Sequence, residues 1–538
     1  MAGLVLLNLP IELILRILHE LDLPSLVRCR QICTLLRDKI DGDVVLQYKI
    51  ELVTHGMEDS PQNALTVSDR LQRLQRHTEA WRSIRCTSSD EVHMGGRVGM
   101  MALEMRGGVL AHLLSSNTGD RKIGMTFTQL PSELRGIPHR TWNLTDLGTD
   151  VTYCTMDPSQ DLLVLVGPLR SRENDSEYTL HLRKLSSGET HPEALLERLQ
   201  YLTSIGDDWT HRVRVTVFGD YLGLLVGNEY RRQYEVVIWE WKTGLVVLNI
   251  EFSSECDFAF VSPRQILILS VRPSQPHPDG TDTPKRLALT AVDFKTAPCM
   301  RYKFEDVQFT CEFEYPPLAT SGSIWKLSLS SDPPPGWTPP SDPQAKVPFH
   351  KGRYERLLVV SIRYFTGTQD SDDPISHFIP LVAIRPLLED SVSSVGRRIP
   401  WEEWGPRQTR MCLVEPGVNI LGGSDFWVYA MSHVFLIQKS AETRTIVIWN
   451  FDQLAVRKEY GKSIGKEGGM NATPSFNFSS AAIQYGVFRE PVNTSLPFQR
   501  WELDFQESRV NRTLVPFLSE DSVILMDGGV DKYRVLNF

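Results

Sequence analysis

The pattern of apolar residues changes near residue 90, and this change constrains the fold more than any other feature. Beyond it, helical periodicity disappears and short β-prone runs recur between turn signals, as at 161–167, 221–227, 265–271 and 355–365. Such runs are typical of a β-sandwich, a barrel or a propeller. The 36 glycines and 33 prolines of the 538-residue chain supply the turns that such a fold needs. The sequence therefore predicts a helical beginning followed by a large all-β region.

Similar strand-and-turn segments recur within the β region. The runs 234–244 and 444–453 share a β-branched stretch, a tryptophan and a polar turn. Expected outer strands near Leu182, Trp239 and Leu289 are 57 and 50 residues apart, somewhat above the roughly 40–45 residues of a WD repeat. The chain has neither a Gly-His nor a Trp-Asp dipeptide. We therefore predict a degenerate WD-type β-propeller of about seven blades, with paired β-sandwiches as the alternative.

Composition excludes some functions. Apolar residues make up 41% and charged residues 23%, as in ordinary globular proteins. The net charge of −9 gives no attraction to nucleic acid or to an anionic membrane. The eight cysteines are scattered, and only Cys29 and Cys33 lie close together in the sequence, which suits a reduced compartment. We expect a cytoplasmic or nuclear protein that binds neither nucleic acid nor membrane.

From Leu9, the run LPIELILRILHELDLPSLVRCRQICTLLRDKI predicts three short amphipathic helices. Asp22 is placed to cap a short second helix that carries residues 25–27. Three helices in about 35 residues bury too little apolar surface to be stable alone, which implies a partner. The apolar stripes are Ile14, Ile17, Leu18 and Leu21 in the first helix and Cys29, Ile32, Cys33, Leu36 and Ile40 in the third.

These residues resemble the F-box, a helical module that docks onto the Skp adaptor of a cullin-based ubiquitin ligase. The matching elements are Leu9-Pro10-x-Glu12-Leu13, Ile17-Leu18-x-x-Leu21, Leu26 after the second proline and Arg30-Gln31-Ile32-Cys33. Taken without the resemblance, a leucine stripe of this kind more often belongs to a private helical core. The resemblance implies that the face that meets the adaptor is formed or supported by Leu9, Pro10, Leu13, Ile14, Ile17, Leu21 and Leu26.

The resemblance also implies a function. An F-box protein is a non-catalytic substrate receptor of an SCF-type cullin–RING ubiquitin ligase. It binds the adaptor at one end and recruits a target protein at the other, so the propeller is expected to be the target-binding part. An adaptor-binding scaffold without a degradative role and a propeller enzyme are the alternatives.

A helical linker is predicted between the two parts. The segment VVLQYKIELVTHGMED predicts a helix that ends near Gly56, and a second helix carries Leu71, Leu74 and Trp81 at roughly helical spacing with arginines between them. We expect its apolar side to attach the F-box to the next domain, rather than its basic side to bind nucleic acid. These stretches resemble a large fungal F-box family, which implies an F-box domain at 1–50, a linker at 51–90 and a propeller at 91–538.

The sequence contains no P-loop and no zinc-binding motif. Gly461-Lys462-Ser463 lacks the upstream glycine of a P-loop, since Val456 stands there. There is no H-E-x-x-H motif and no paired C-x-x-C motif. Cys29 and Cys33 are expected to pack as small apolar residues. The sequence predicts no catalytic residue, no cofactor and no metal.

Two proline-rich segments, 273–285 and 331–346, predict loops that project from the propeller. The second carries Trp337 between prolines, a composition compatible with a polyproline ligand, although ordinary loop composition is commoner. Two arginine pairs suit a phosphorylated target, although solvated charges are again commoner. These arginines are Arg212, Arg214, Arg231 and Arg232.

Overall fold

Five helices occupy the first part of the chain. The computed structural model describes residues 9–60, 64–84, 86, 88–93, 103–115, 122–171, 176–205, 211–272, 285–297, 300–319, 323–333, 347–365, 374–390, 396–413, 427–440, 442–463, 474–483, 487–506, 514–527 and 532–538. The helices are α1 (Ile11–Glu20), α2 (Leu23–Ile32), α3 (Thr34–Gly42), α4 (Val44–Thr54) and α5 (Val67–Ser83). A short strand, β1 (Met57–Asp59), separates the last two.

Side-chain caps fix where these helices begin. The predicted cap of α2 is confirmed, because the Asp22 carboxylate accepts a hydrogen bond from the Ser25 amide at 3.0 Å. Asp43 accepts bonds from the amides of Val45 and Leu46 at 2.9 Å and so starts α4. Such caps satisfy amides that have no partner within the helix.

The expected single stripe from Cys29 to Ile40 is wrong at one position. Cys33 has φ −156° and ψ 164°, an extended conformation that ends α2 and begins α3. The break changes the direction in which the apolar side of α3 faces relative to that of α2. Leu36 and Ile40 are consequently buried, whereas the Ile32 side chain is 68% exposed.

The first four helices share a small hydrophobic core. Its members come from every one of them, so the unit folds around its own centre. Leu36 fills this core. The buried residues are Ile14, Leu18, Leu26, Leu36, Ile40 and Leu46.

Seven sheets of at least four strands follow in the described residues, and we call them blades one to seven. Their main strands are antiparallel, and a short parallel strand extends two of the sheets. The outer strand of the last blade comes first along the chain and is β2 (Ser88–His93). Blade one contains β3 (Leu103–Arg106), β4 (Val109–Ser115), β5 (Lys122–Gln129) and β6 (Arg140–Leu144). Blade two contains β7 (Tyr153–Asp157), β8 (Leu162–Val166), β9 (Arg170–Ser171), β10 (Ser176–Lys184) and β11 (Arg198–Thr203). Blade three contains β12 (His211–Phe218), β13 (Tyr221–Asn228), β14 (Gln233–Glu240) and β15 (Leu245–Phe252).

The later blades carry insertions. Blade four contains β16 (Cys256–Phe260), β17 (Gln265–Arg272), β18 (Arg286–Asp293) and, after β19 (Tyr302–Lys303), β20 (Cys311–Pro317). Blade five contains β21 (Ser323–Ser330), β23 (Leu357–Phe365), β24 (Ile375–Pro380) and β26 (Arg410–Leu413). An excursion with β22 (Phe349–Lys351) lies between its first two strands, and β25 (Arg397–Ile399), which precedes β26, pairs with β20 of blade four. Blade six contains β27 (Val428–Tyr429), β28 (Ser432–Gln438), β29 (Thr443–Asn450), β30 (Ser475–Asn477) and, after β31 (Ala481–Ile483) and β32 (Val492–Thr494), β33 (Phe498–Gln506). Blade seven contains β34 (Leu514–Leu518), β35 (Ser522–Asp527) and β36 (Lys532–Asn537).

The first and last strands of the propeller pair with each other and close the ring. β2 lies antiparallel to β36, from Ser88 opposite Asn537 to His93 opposite Lys532, and so supplies the fourth strand of blade seven. The predicted start of the propeller at residue 91 falls inside this strand. Blade seven thus combines a strand that precedes the other six blades in the sequence with three strands that follow them, and this pairing holds the ring together.

Hydrophobic clusters fill every junction between neighbouring blades. Phe127 of blade one packs with Leu163 of blade two, and the series continues around the ring. At the closing junction, Phe517 of blade seven shares a cluster with Leu110 of blade one. The predicted propeller of about seven blades is therefore confirmed, and paired sandwiches are excluded.

The predicted strand runs coincide with β8, β13, β17 and β23, and the two tryptophan-containing runs with β14 and β29. The strands near Leu182, Trp239 and Leu289 are the third strands of their blades, not the outer ones. In blades two and four, long connections at 185–197 and 294–310 separate the third strand from the fourth, whereas blade three has a four-residue turn there. The loop predicted at 273–285 lies outside the described residues except for Lys285, and residues 334–346 of the second loop lie outside them too.

Antiparallel blades give the ring two faces. One face carries the turns between first and second strands and between third and fourth strands, and we call it the helix-side face. Three further helices lie in these connections: α6 (Leu381–Asp390), α7 (Trp401–Trp404) and α8 (Gln453–Ser463). The other face, which we call the open face, carries the second-to-third turns and the links between blades. None of the helices described in the structure combines the length and apolar character needed to cross a bilayer.

Candidate adaptor-docking surface

Helix α1 is apolar on two sides. Its inner side places Ile14 and Leu18 in the F-box core, where they are 2% and 0% exposed. Its outer side carries Leu13 and Ile17, which are 46% and 40% exposed, next to the exposed Pro10. A helix that is apolar all round is normally buried. The outer side is therefore a surface that the helices themselves leave uncovered.

The predicted adaptor residues divide into three groups in the structure. Pro10, Leu13 and Ile17 are exposed and available to a partner. Leu9 and Leu21 are half-buried and pack against the F-box core. Ile14 and Leu26 are fully inside that core, so their role is restricted to supporting the face from behind.

Three exposed apolar residues of α2 and α3 were not among the predicted contacts. Val27 on α2 is 41% exposed, Ile32 at the end of α2 is 68% exposed and Leu35 on α3 is 45% exposed. The helix break at Cys33 turns Ile32 outward, and no periodicity in the sequence marks that break. We use the term outer apolar surface for Pro10, Leu13, Ile17, Val27, Ile32 and Leu35.

Polar contacts hold the short helices in place around this surface. Arg30 on α2 donates two hydrogen bonds to the Asp41 carboxylate on α3, at 2.7 and 2.9 Å. These bonds lower the pKa of Asp41. Lys49 on α4 donates to the His19 carbonyl of α1 at 2.7 Å. Both contacts tie a helix that carries part of the surface to its neighbour.

The linker helices are attached to the propeller by an apolar cluster and a small sheet. β1 pairs antiparallel with β22, which belongs to the excursion between the first two strands of blade five. Phe349 of that excursion is fully buried among Tyr48, Leu74 and other linker residues. The Tyr48 hydroxyl also donates to the Pro348 carbonyl at 3.2 Å. The predicted apolar attachment of the linker is thus present, and a segment of the propeller completes it.

A buried polar group joins α5 to blade seven. Asp521, in the turn between β34 and β35, lies 3.1 Å from the His77 ring and 2.7 Å from the Arg135 guanidinium. Burial raises the pKa of Asp521, but the charges of Arg135 and His77 outweigh it, and the net shift is downward. Trp81 donates to the Glu520 carbonyl at 3.0 Å and stacks on Phe538 at 4.4 Å.

Helix α8 adds a third contact with the linker. Lys458 donates to both oxygens of the Glu51 carboxylate on α4, at 2.7 and 2.8 Å. Burial opposes ionisation of Glu51, but hydrogen bonds from His55 and Lys458 prevail and lower its pKa to about 2. Burial raises the pKa of Asp452, which caps α8, to about 6. A cavity of about 300 Å³ remains between α5, α8 and the end of blade six.

The arginine pairs have different surroundings. Arg212 lies 2.7 Å from Glu255 and 2.8 Å from Asp257, and Arg214 lies 2.6 Å from Asp257. The carboxylates of Asp257 on β16 and of Glu255 just before it therefore neutralise this pair, so Arg212 and Arg214 are not freely solvated charges. Arg231 and Arg232 lie in the turn between β13 and β14 on the open face.

The cysteine pair and the glycine-lysine-serine run of the sequence both lie in the described part of the chain. Within it, no three His, Cys, Asp or Glu side chains converge as metal ligands would. Cys29 and Cys33 are half-buried free thiols that pack against the F-box core. Gly461-Lys462-Ser463 ends α8 and does not connect a strand to a helix as a P-loop does.

Comparison with known proteins locates the family resemblance at the N-terminus. Residues 6–48 match the family described as "F-box domain". A solved structure described as "Kluyveromyces lactis Hsv2 complete loop 6CD" is 10% identical; the match covers 53% of this chain and 69% of that one, with a TM-score of 0.24. No curated protein matches the chain. The chain thus carries an F-box domain in front of a seven-bladed β-propeller.

Proposed function

We propose that the chain is the substrate receptor of an SCF-type cullin–RING ubiquitin ligase. The F-box at residues 6–48, with an apolar surface that its own core leaves uncovered, is the observation that carries this proposal. The partner of this surface is the Skp adaptor, and through it the cullin and RING subunits. Such complexes act in the cytoplasm and nucleus, where we expect this protein. The chain itself contributes proximity between a target and the ubiquitin-carrying subunits.

The adaptor contact follows from the exposure of the predicted residues. Pro10, Leu13 and Ile17 contact the adaptor directly, with Leu9 and Leu21 at the edge of the contact. Ile14 and Leu26 hold those residues in place from the F-box core. Ile32 and Leu35 extend the contact onto α2 and α3, since apolar anchors in a dry patch supply most of the affinity of such interfaces.

The propeller presents the target on the side away from the adaptor. The linker contacts the helix-side face through the first-to-second turns of blades five and seven and through α8 in blade six. That leaves the open face uncovered among the described residues. We therefore propose three functional parts, an F-box near residues 1–50, a helical linker near 51–90 and a target-binding propeller beyond it, with β2 as the strand that closes the ring.

A comparison of binding to purified Skp adaptor tests the proposal. We expect the Leu13→Glu/Ile17→Glu variant to bind roughly 100-fold more weakly or worse, because two charges replace apolar anchors. Leu195→Glu on the propeller is the matched control, since Leu195 is 77% exposed and distant from the F-box in the fold. Equal adaptor binding by the double variant and the control would show that the outer side of α1 is not the docking surface.

A further inference from the structure

The outer edges of several blades are covered by other parts of the chain. β19 pairs with β15 of blade three and β25 with β20 of blade four, both in parallel. β30 pairs antiparallel with β33 of blade six. In blade five, the Thr494 hydroxyl accepts a hydrogen bond from the Met411 amide of β26 at 2.9 Å. Such cover satisfies main-chain groups that an open strand edge leaves unpaired.

Blade two has no such cover in the described part of the chain. Its outer strand, β11, ends its sheet, and among the described strands it pairs only with β10. The Leu182 amide donates to the Glu197 carbonyl at 3.0 Å, so residue 197 and every second residue after it face β10. The amides and carbonyls of the residues between them therefore point away from the sheet. These residues are Arg198, Gln200 and Leu202.

One contact from another blade limits this open edge. Arg301 donates to the Leu202 carbonyl at 2.5 Å and to the Tyr201 hydroxyl at 3.2 Å. The groups that remain for a partner are the Leu202 amide and both main-chain groups of Arg198 and Gln200. They span the length of an ordinary short strand. An extended polypeptide segment is the ligand that such an edge accepts.

The exposed side of β11 carries an apolar and a cationic side chain. Leu202 is 54% exposed, although edge strands commonly carry charged residues at such positions. The Arg198 side chain is 57% exposed, and the half-buried His181 lies directly opposite it on β10. Burial lowers the pKa of His181, and the charges of Arg183 and Arg198 lower it further. An added strand thus meets positive charge at one end of the edge and an apolar residue at the other.

Two nearby carboxylates leave Arg198 available. Glu197 lies 3.9 Å from Arg198, and both side chains are more than half exposed, so this ion pair is weak. Glu177 is buried and accepts a hydrogen bond from the Gln200 side chain at 2.7 Å. An acidic residue of a partner can therefore approach the Arg198 guanidinium.

We propose that β11 binds an extended segment of the target protein as a further strand of blade two, with an acidic side chain against Arg198 and an apolar one against Leu202. The inference rests on the proposed receptor function and specifies the chemistry of the target. Residues 198 and 202 lie on the same side of a strand, so the acidic and apolar residues of the target are four positions apart. The segment lies along the rim of blade two, away from blades five to seven, where the linker docks.

A second copy of the chain is the competing occupant of this edge. Two β11 strands paired antiparallel about Leu199 would place Gln200 opposite Arg198. Such a pair supplies no carboxylate to the arginine, whereas opposite charges across two strands are favourable. The charge of Arg198 therefore favours an acidic target segment over a second copy.

Titration of a labelled peptide, followed by fluorescence anisotropy, tests this inference. The peptide has glutamate at its centre, leucine four positions to either side and threonine or valine elsewhere, so it fits β11 in either direction. The complex of the 538-residue chain with the Skp adaptor should bind it about tenfold more tightly than a version with central lysine, because like charges across an interface are costly. Arg198→Glu should reverse that preference. Arg140→Glu is the matched control and should keep it, because Arg140 is exposed on β6, the outer strand of blade one.

Two N-methylated forms of the glutamate peptide test the main-chain pairing. One is methylated at the central residue and every second residue from it, and the other at the residues between. Only alternate amides of a strand face one neighbour, so one form should lose binding and the other should keep it. Loss by both forms or by neither would overturn the strand addition. Equal binding of the glutamate and lysine peptides, or a preference that Arg198→Glu leaves unchanged, would overturn the charge contact.

Light scattering of the same samples separates the remaining outcomes. A doubled mass that Leu202→Asp returns to that of the single complex, without peptide binding, would assign the edge to a second copy and overturn the inference. Adaptor binding without peptide binding would remove the target strand and leave the receptor function. Peptide binding without adaptor binding would leave the edge assigned and remove the receptor function.

Discussion

Removal of the Phe349 ring should detach the linker helices from the propeller. Phe349 is fully buried in the cluster that joins Tyr48, Leu52, Met57 and Leu74, and it is the residue that the propeller contributes. Its ring also meets the His77 ring edge-on, with centroids 5.7 Å apart. Truncation of a buried phenylalanine to alanine costs about 3–5 kcal/mol.

That cost sets the expected size of the effect. If the junction opens separately from the rest of the protein, 3–5 kcal/mol corresponds to roughly 10²-fold to 4 × 10³-fold faster amide exchange. Hydrogen exchange with mass spectrometry of Phe349→Ala should show this in peptides from α4 and α5. Peptides from α1–α3 should change less than those from α4 and α5, because Phe349 lies outside the F-box core, which α4 shares through Leu46.

Tyr230→Ala is the control for this measurement, since Tyr230 is 86% exposed in a turn of the open face. It should leave exchange in α4 and α5 unchanged. An acceleration of less than about tenfold in Phe349→Ala would refute the reasoning. It would mean that the sheet between β1 and β22 and the polar contacts hold the linker without the apolar cluster.

Three further predictions follow from the same contacts. Leu18→Ala should lower the free energy of unfolding of the F-box by about 2–5 kcal/mol, because Leu18 is fully buried in its core. Urea denaturation followed by amide hydrogen exchange in α1–α3 would measure this change. An effect below about 1 kcal/mol would contradict the packing. The pKa of Glu51 is about 2 in the folded protein and 4.5 in the unfolded chain, so the Glu51 carboxylate stabilises the junction above pH 4.5. This contribution of about 3 kcal/mol should be lost as the pH falls from 4.5 towards 2. Glu51→Gln should abolish that dependence in pH-jump proteolysis of the linker, whereas an unchanged profile would assign it to other groups. The pKa of Asp452 is about 6 in the folded protein and 3.8 in the unfolded chain, so ionisation of this buried carboxyl destabilises the fold. The melting temperature should therefore rise as the pH falls from 6 to 3.8. The Asp452→Asn variant, which retains the α8 cap, should lack this rise.

Local patterns predicted much of the fold. The cap at Asp22 and the inner stripe of α1 were readable because caps and helical spacing depend on residues a few positions apart. The strand runs at β8, β13 and β17 were readable because each is a short apolar stretch between turns. These features need no knowledge of distant residues.

Long-range contacts were not readable in the same way. Nothing near Ser88 indicates that β2 pairs with a strand some 450 residues later. Phe349 lies in an irregular excursion whose burial depends on the position of α5. The ion pairs of Arg212 and Arg214 form with residues of the next blade, so the sequence alone left them as candidate ligands of a phosphate.

The adaptor surface was predicted in part. The F-box pattern identified Leu13 and Ile17, and exposure now separates them from Ile14 and Leu26, which carry similar side chains. Ile32 was misassigned to a buried stripe because the break at Cys33 carries neither proline nor glycine.

The mass of the complex between the purified 538-residue chain and the Skp adaptor tests the central claim most directly. Size-exclusion chromatography with light scattering of an equimolar mixture measures it without labels or variants. The account predicts a single species with one adaptor for each 61.2-kDa chain. Two separate species at micromolar concentration would contradict the receptor function, and the outer apolar surface would then need a different partner.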